Sequence, residues 1–296
     1  MCTLEKRGSI FILTLTGDGE HRLNPTLLDS IQSSLRRVHQ EATASSALVT
    51  TAHGKFFSNG YDIAWARSSD EVKERMILMD SLLRSVVSDL LTLPMPTIAA
   101  VTGHASAAGY TLALAHDHVL MRSDRGFLYM SELDINLVIP AWFVALLEAK
   151  IGSPAARRHV VLNAAKLTAK EALRLGVIDS AHDSAAETVE AALALAADLV
   201  KRGWVGHVYA QNRKVFLGRV IRAVEDTSER KVVHGPHIEH SLMHLPFQQE
   251  TYPSSKFDLE FMFQLSVYHP IGMKHDSLTG LCSYKPMVKK KYLVNR

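Results

Sequence analysis

The sequence has only two cysteines among its 296 residues, Cys2 and Cys282, and they lie at opposite ends of the chain. A disulfide framework or a cysteine-based metal site needs more cysteines at short spacing, so we expect neither. No apolar run approaches the roughly 18 residues that a membrane-spanning helix requires, and we expect no such helix. The formal net charge is only +3, which argues against nucleic acid as the main partner.

Two apolar runs each lead into a turn of small residues, over residues 56–63 and 98–109. Such turns can expose backbone N–H groups, and two of them together could stabilise a negatively charged oxygen. Each segment alone also has a plainer interpretation. The pair Asn59-Gly60 between apolar residues is typical of a hairpin turn, and small residues at helical spacing are typical of close packing.

Together and in this order, the two segments resemble the donor loops of the crotonase superfamily, the enoyl-CoA hydratases and isomerases. The resemblance runs from about Leu4 to about Val224. It implies an α/β fold, the crotonase-like spiral of ββα units with a C-terminal helical trimerisation region. It also implies that the backbone N–H groups of Tyr61 and Ala108 bind a thioester enolate. Alanine replaces the family's usual glycine at the second position but keeps the N–H.

A third segment, residues 128–143, carries Glu132 at the place of the family's catalytic glutamate. Hydratases of the family hold a water with a second glutamate, and that position is Thr111 here. The resemblance therefore implies proton transfer without water addition, as in the Δ3,Δ2-enoyl-CoA isomerases, with Glu132 as the single base. Asn136 stands where the family usually has glycine, and asparagine tolerates the positive φ that such a turn needs.

The resemblance also implies that further positions lie against the acyl-CoA substrate. They are Arg22, Ser58, Asn59, Gly60, Asp62, Ile63 and Thr111. Arg22 would contact a phosphate of coenzyme A, although a solvated turn charge is its plainer interpretation, and Asp62 would fix the loop. The resemblance implies no metal and no cofactor, because coenzyme A is part of the substrate. It implies a homo-oligomer, either a trimer or a hexamer.

Strand and helix patterns alternate along the chain, which by itself indicates an α/β protein. The patterns predict strands over 9–16, 46–51, 97–101, 119–122 and 126–130, and helices over 25–40, 70–93, 107–115, 185–202 and 206–224. Asn24 followed by Pro25 is typical of a helix N-cap and first turn. Beyond Ala141 the pattern is mainly helical.

Composition changes abruptly after Ala223, because alanine is frequent up to that point and absent from 224 to the end. We therefore expect a spiral core over 1–195, a helical region over 196–225 and an atypical extension over 226–296. Five prolines interrupt the extension, so it is expected to be disordered or loosely docked. Its four clustered histidines lack accompanying cysteines or a carboxylate framework, and we expect no metal there.

Three functions remain open at this stage. The first is an isomerase of fatty acid β-oxidation. The second is another crotonase reaction, such as hydration or thioester hydrolysis, in which Asp134 or Asp117 supplies the missing carboxylate. The third is a catalytically silent subunit that binds acyl-CoA.

The resemblance also implies a peroxisomal protein. Close members of the family usually end in a tripeptide similar to Ser-Lys-Leu, which a receptor reads as an address. This chain ends in Val294-Asn295-Arg296 instead. We therefore expect this polypeptide to stay in the cytosol unless it enters with a tagged partner.

Overall fold

The structure is a computed structural model that describes residues 1–17, 19–43 and 45–226. These residues all belong to one unit of the chain. Apart from Asp226, the expected extension over 226–296 lies outside the described residues. No helix in the described part of the chain is long and apolar enough to cross a membrane.

The described residues form nine strands. They are β1 (Cys2–Arg7), β2 (Ile10–Leu15), β3 (Ala47–Ala52), β4 (Phe56–Ser58), β5 (Thr97–Val101), β6 (His104–Ser106), β7 (His118–Arg122), β8 (Leu128–Tyr129) and β9 (Ser180–His182). The larger sheet has the order β1-β2-β3-β5-β7-β9, and the smaller sheet has the order β4-β6-β8. Only β1 is antiparallel to its neighbour, and all other pairs are parallel.

The strands are shared between the two sheets in a regular way. Each of the successive pairs β3-β4, β5-β6 and β7-β8 adds one strand to the larger sheet and one to the smaller sheet. The chain therefore advances as a spiral of repeated turns. The expected crotonase-like spiral of ββα units is confirmed.

The same residues form ten α-helices and one 3-10 turn. The helices are α1 (Pro25–Glu41), α2 (Ile63–Arg67), α3 (Val72–Thr92), α4 (Ala108–Leu114), α5 (Ala141–Lys150), α6 (Pro154–Val161), α7 (Ala169–Arg174), α8 (Ala185–Lys201), α9 (Gly206–Phe216) and α10 (Gly218–Glu225), and the 3-10 turn is Leu133–Ile135. Helix α1 begins as its cap predicts, since Oδ1 of Asn24 accepts a hydrogen bond from the N–H of Leu27 at 3.0 Å.

One sequence prediction needs correction, and a second needs an addition. The single helix expected over 206–224 is two helices, because the chain turns at the buried Leu217 and the poor helix former Gly218 starts a new helix. The region expected to be mainly helical also contains strand β9, which pairs with β7 at the edge of the larger sheet. Its three residues are too few to leave a periodic pattern.

Core packing uses both faces of the larger sheet. Ala47 and Val49 face one side, where they pack with Ala192 and Ala196 of α8. Leu48, between them in sequence, belongs to the main core on the other side. This alternation follows from the two-residue period of a strand. The larger sheet therefore serves as a buried support for the smaller sheet and its loops.

Candidate active site

Three functional segments follow the three strands of the smaller sheet. Tyr61 comes shortly after the end of β4, Ala108 follows β6, and Glu132 follows β8. Because β4, β6 and β8 are parallel neighbours, their carboxyl ends meet at one edge of the sheet. That edge is where α/β proteins commonly bind ligands. The fold therefore brings the three predicted catalytic positions to the same edge.

The first donor loop is held by the chain around Leu23. Gly60 has a φ of +73°, a conformation that glycine adopts without strain. Its carbonyl accepts from the N–H of Leu23 at 2.8 Å, and the N–H of Asp62 donates to the carbonyl of Leu23 at 3.3 Å. The N–H of Tyr61, between these two bonds, is paired with no acceptor among the described residues. The loop leads into α2 and is not the turn of a hairpin.

The second donor loop contains a strained residue. Ala107 has φ +46° and ψ −118°, which is uncommon for a residue other than glycine. Its N–H donates to the carbonyl of Tyr129 at 2.7 Å, which anchors the turn to β8. Ala108 is the first residue of α4, so its N–H has no acceptor within the helix. No described group outside the helix accepts from it.

The two donor loops are in contact with each other. A Cβ atom placed on Gly60 would lie 3.1 Å from the carbonyl oxygen of Ser106 and 3.6 Å from the backbone nitrogen of Ala108. Tyr61 directly follows Gly60, so both unpaired N–H groups belong to one small region. Two donors held in this way by fixed backbone are the arrangement that stabilises a developing oxyanion.

Glu132 is a buried carboxylate at the same edge. It is only 7 % exposed, and its Oε2 has no hydrogen-bond partner in the described part of the chain. Burial raises its pKa to about 7, close to the value that suits proton transfer at neutral pH. Burial also raises the pKa of the Tyr61 phenol well above its ordinary value, and the charges of Asp80 and Glu132 add to this shift. The Glu132 carboxylate and the phenol of Tyr61 therefore interact electrostatically.

The backbone after Glu132 confirms one sequence prediction. Glu132 precedes the 3-10 turn, and its carbonyl accepts from the N–H of Leu137 at 2.8 Å. Asn136 ends the turn with φ +54° and ψ +35°, the left-handed conformation expected at this position. The turn therefore reverses the chain just beyond the carboxylate and leads it into α5.

Several of the predicted substrate-binding side chains are engaged with the protein. Asp62 accepts from the N–H of Trp65 at 2.9 Å and from Nδ2 of Asn24 at 3.1 Å, which agrees with a loop-fixing role. The hydroxyl of the fully buried Ser58 donates to the carbonyl of His21 at 2.8 Å. Thr111 Oγ1 donates to the carbonyl one helical turn earlier, at 3.2 Å.

The other predicted substrate-binding positions are partly accessible. Arg22 pairs with Glu20 at 2.5 Å, and about a third of its side chain is exposed. Ile63 is the first residue of α2 and is partly buried. Asn59 and Gly60 form the loop that ends at the first donor. Within the described residues, no group of three or more potential metal ligands comes together.

The two carboxylates considered as substitutes for a second catalytic acid are occupied. Asp134 accepts a very short hydrogen bond from the hydroxyl of Tyr129. Asp117 accepts from the N–H of Thr97 at 2.9 Å, from the hydroxyl of Tyr209 at 3.1 Å and from Nε of Arg213 at 2.7 Å. Both carboxylates therefore serve internal networks.

Sequence reasoning missed one buried acid beside the site. Asp80 of α3 accepts from the hydroxyl of Tyr61 at 3.1 Å and from Nε1 of Trp142 at 2.9 Å. The available signal was a carboxylate on the apolar face of a long helix, with Arg84 one turn later at the spacing of an ion pair. Such a pair is usually a solvated surface contact, and its burial depends on the tertiary structure.

Comparison with known proteins agrees with this geometry. The chain belongs to the enoyl-CoA hydratase/isomerase family, whose sequence model matches residues 5–248. The match continues past the boundary at residue 226 that composition predicts, and that boundary stays a prediction.

Individual relatives are similar over most of their length. The chain is 60 % identical to enoyl-CoA delta isomerase 1, peroxisomal, of Arabidopsis thaliana over 222 residues, which cover 75 % of this chain and 91 % of the relative. It is 50 % identical to enoyl-CoA delta isomerase 3 of the same plant, covering 79 % of this chain and 99 % of the relative. The fold is similar to that of a probable enoyl-CoA hydratase from Mycobacterium tuberculosis, with a TM-score of 0.69, 21 % identity and coverage of 76 % and 91 % of the two chains.

Proposed function

We propose that this chain is an enoyl-CoA delta isomerase, which shifts the double bond of a 3-enoyl-CoA to give the 2-trans-enoyl-CoA in fatty acid β-oxidation. Relatives of that name are 50–60 % identical to this chain over the matched residues. The observation that carries the proposal is the placement of Glu132, a buried carboxylate with a raised pKa and an unpartnered oxygen, at the edge that holds two unpaired N–H groups of the described residues.

The chemistry follows from the weak acidity of a thioester. Removal of a proton from C2 moves negative charge onto the thioester oxygen, and the N–H groups of Tyr61 and Ala108 would stabilise that charge. Glu132 would take the proton from C2 and return it to C4, which moves the double bond into conjugation. Loss of one such oxyanion donor typically costs about 10²- to 10³-fold in rate.

Hydration is the weaker alternative for this site. Water addition in the family uses a second carboxylate, and the corresponding residue is Thr111, whose hydroxyl bonds to a backbone carbonyl. Asp134 and Asp117 are engaged elsewhere. A catalytically silent role is disfavoured by the ionisable, unpartnered oxygen of Glu132, which would cost stability without a function.

The remaining site residues are assigned to substrate binding within this proposal. Arg22 would exchange its exposed pairing with Glu20 for a phosphate of coenzyme A, since an exposed ion pair is weak. Ser58, Asn59, Gly60, Asp62, Ile63 and Thr111 would shape the loop around the thioester. No metal or redox cofactor is required, because the reaction transfers a proton within one substrate. Coenzyme A contributes binding energy far from the reacting carbons.

A pair of assays tests this function. Purified protein is incubated with 3-hexenoyl-CoA, and formation of the conjugated 2-enoyl thioester is followed by its ultraviolet absorbance. A parallel incubation with 2-hexenoyl-CoA measures loss of the same absorbance by hydration. We expect isomerisation to exceed hydration by orders of magnitude. Tight thioester binding without either reaction would contradict the proposal.

We also propose that the protein forms a homo-oligomer, a trimer or a hexamer. The support is the family resemblance together with apolar side chains exposed on α9, where Val215 is 84 % and Phe216 is 78 % exposed. Exposed large apolar groups are typical of protein interfaces. Light scattering of the purified protein measures the assembly, and a monomer at micromolar concentration would contradict it.

For localisation we propose the peroxisome, because two of the similar Arabidopsis proteins carry that word in their names. This differs from the cytosolic location that the sequence predicts for the polypeptide alone, and imaging distinguishes the two. The test is imaging of an N-terminal fluorescent fusion of the full chain beside a peroxisomal marker. The same fusion with Ser-Lys-Leu appended is the positive control. Purely cytosolic fluorescence of the first fusion, with import of the second, would contradict peroxisomal targeting by this chain.

A further inference from the structure

A buried carboxylate outside the proposed catalytic set connects two walls of the site, the Tyr61 loop and helix α5. Asp80 lies in α3 and is 7 % exposed. Its Oδ1 accepts from the phenolic hydroxyl of Tyr61 at 3.1 Å and from the indole Nε1 of Trp142 at 2.9 Å. Tyr61 carries the first oxyanion donor. Trp142 is the second residue of α5, the helix that follows the Glu132 segment.

The contact between Asp80 and the Tyr61 ring lies beside a group of the proposed chemistry, the backbone N–H of Tyr61. The ring of Tyr61 and its backbone N–H are attached to one Cα, so a tethered ring restricts the orientation of the peptide. The rings of Trp142 and Phe143 pack edge to face with their centroids 4.4 Å apart. The ring centroids of Phe143 and Tyr61 are 6.4 Å apart. The donor loop and α5 therefore meet around Asp80.

Arg84 balances the charge of Asp80 and extends the network to the last described helix. Its Nε donates to Oδ2 of Asp80 at 2.7 Å, and both side chains are nearly buried. Its Nη1 donates to the carbonyls of Ala223, Val224 and Asp226 at 2.9, 3.2 and 3.0 Å. Because a helix leaves its last carbonyls without internal partners, Arg84 caps the end of α10. Both oxygens of the Asp80 carboxylate are therefore held, Oδ1 by Tyr61 and Trp142 and Oδ2 by Arg84.

We infer that Asp80 is a positioning residue, which holds the Tyr61 loop and α5 in the arrangement that aims the first oxyanion donor at the substrate carbonyl. The inference rests on the proposed function for the identity of the reaction. A carboxylate suits this task because one oxygen accepts two hydrogen bonds while the other pairs with a guanidinium. Errors of about 1 Å in such positioning can cost about 100-fold in rate.

The first test removes one hydroxyl and leaves the backbone donor in place. In Tyr61→Phe, we expect kcat to fall by about 10- to 100-fold while KM stays within about twofold, since the misplaced donor matters most in the transition state. A purely structural role for the bond would lower the unfolding midpoint and leave kcat unchanged.

Tyr209→Phe is the matched control. The hydroxyl of Tyr209 also donates to a largely buried aspartate, Asp117, and also at 3.1 Å. That network lies at the amino ends of β5 and β7, where Asp117 also bonds to Thr97. The control should lose a similar amount of thermal stability and keep its kcat.

A second variant tests whether Asp80 couples the two walls. Trp142→Phe removes the other donor to the same oxygen and keeps an aromatic ring. We expect a fall in kcat here as well, and a double variant with Tyr61→Phe whose loss is smaller than the product of the single losses. Non-additivity of this kind indicates groups that act through one partner. Independent, multiplicative losses would contradict the coupling.

A binding measurement separates this inference from the proposed function. Acetoacetyl-CoA is a β-keto thioester whose enolate absorbs in the near ultraviolet. Wild type and Tyr209→Phe should strengthen the enolate band on binding, and Tyr61→Phe should strengthen it less. A wild type that shows the band but does not isomerise 3-hexenoyl-CoA contradicts the proposed function alone. Absence of the band in wild type, or equal bands and equal kcat in Tyr61→Phe and wild type, would overturn the role of Asp80.

Discussion

Gly109 of α4 packs directly against the backbone of Ser58 at the end of β4. A Cβ atom on Gly109 would lie 2.3 Å from the carbonyl oxygen of Ser58 and 2.7 Å from its Cβ atom. Neither atom is the flexible end of a long side chain, so a methyl group here cannot be absorbed by a rotamer change. The absence of a side chain at Gly109 is what allows the two donor loops to touch.

Gly109→Ala should therefore separate the donor loops. We expect a loss of about 1–3 kcal/mol in the free energy of unfolding, the range for overpacking. We also expect a larger loss of isomerase turnover than in the control variant. Gly152→Ala is the control, because a Cβ atom there meets nothing within 4 Å and its φ is not positive. Chemical denaturation and steady-state kinetics of both variants measure the effects. Equal stability and activity of the two variants would contradict the close contact.

Glu132→Gln tests the identity of the base. The amide keeps the size of the side chain but cannot accept the proton, so turnover should fall by about 10²- to 10⁴-fold while affinity for the thioester changes little. Asp134→Asn is the matched carboxylate-to-amide control two residues away, and its amide oxygen can still accept from Tyr129. Near-normal turnover of Glu132→Gln together with an inactive Asp134→Asn would show that the base is the other carboxylate.

The raised pKa of Glu132 predicts how activity depends on pH. Only the ionised carboxylate can accept a proton, and burial raises its pKa to about 7. The value of kcat/KM should therefore increase about tenfold per pH unit below 7 and become constant above it. Initial rates between pH 5.5 and 8.5 measure this profile. A profile that is already flat at pH 5.5 would contradict a buried, perturbed base.

The same pKa predicts how stability depends on pH. A folded-state pKa above the unfolded value means that the native state binds more protons in the window from about 4.5 to 7. Stability must then fall as pH rises through that window, by up to about 3 kcal/mol at about 1.4 kcal/mol per unit. Glu132→Gln has no carboxylate to ionise, so it avoids this loss of stability. Its unfolding midpoint, relative to that of wild type, should therefore be higher at pH 8 than at pH 5. Thermal unfolding at both values measures the difference.

Thr111→Glu tests why water addition is disfavoured. A carboxylate at this position should allow a trace of hydration of 2-hexenoyl-CoA, provided that the new side chain reaches the pocket of Glu132. Thr111→Gln has the same size without the charge and controls for overpacking of this buried position. Hydration by the glutamate variant alone is the expected result. Equal hydration by both variants would show that the second carboxylate is not the missing element.

Local patterns predicted the elements whose causes are local. Helix α1 begins at its Asn24 cap and buries the apolar face that its spacing predicts, and β5 spans the five residues expected. The left-handed conformation of Asn136 also follows from a residue type that tolerates it. For the α1 cap and for Asn136 the deciding interactions lie within a few residues of each other in the sequence, so the sequence contains them directly. For β5 the sequence carries only the apolar pattern, since its pairing with β3 and β7 is long-range.

Only the tertiary structure decided which side chains remain available at the site. The parallel order β4-β6-β8 places Tyr61, Ala108 and Glu132 at one edge, and long-range packing engages the Ser58 hydroxyl with the carbonyl of His21. The burial of Asp80 and the two donors that share its oxygen depend on residues 19 and 62 positions away in the chain. A residue's own sequence neighbourhood carries no information about partners at such separations, because burial and pairing arise only when distant segments pack together.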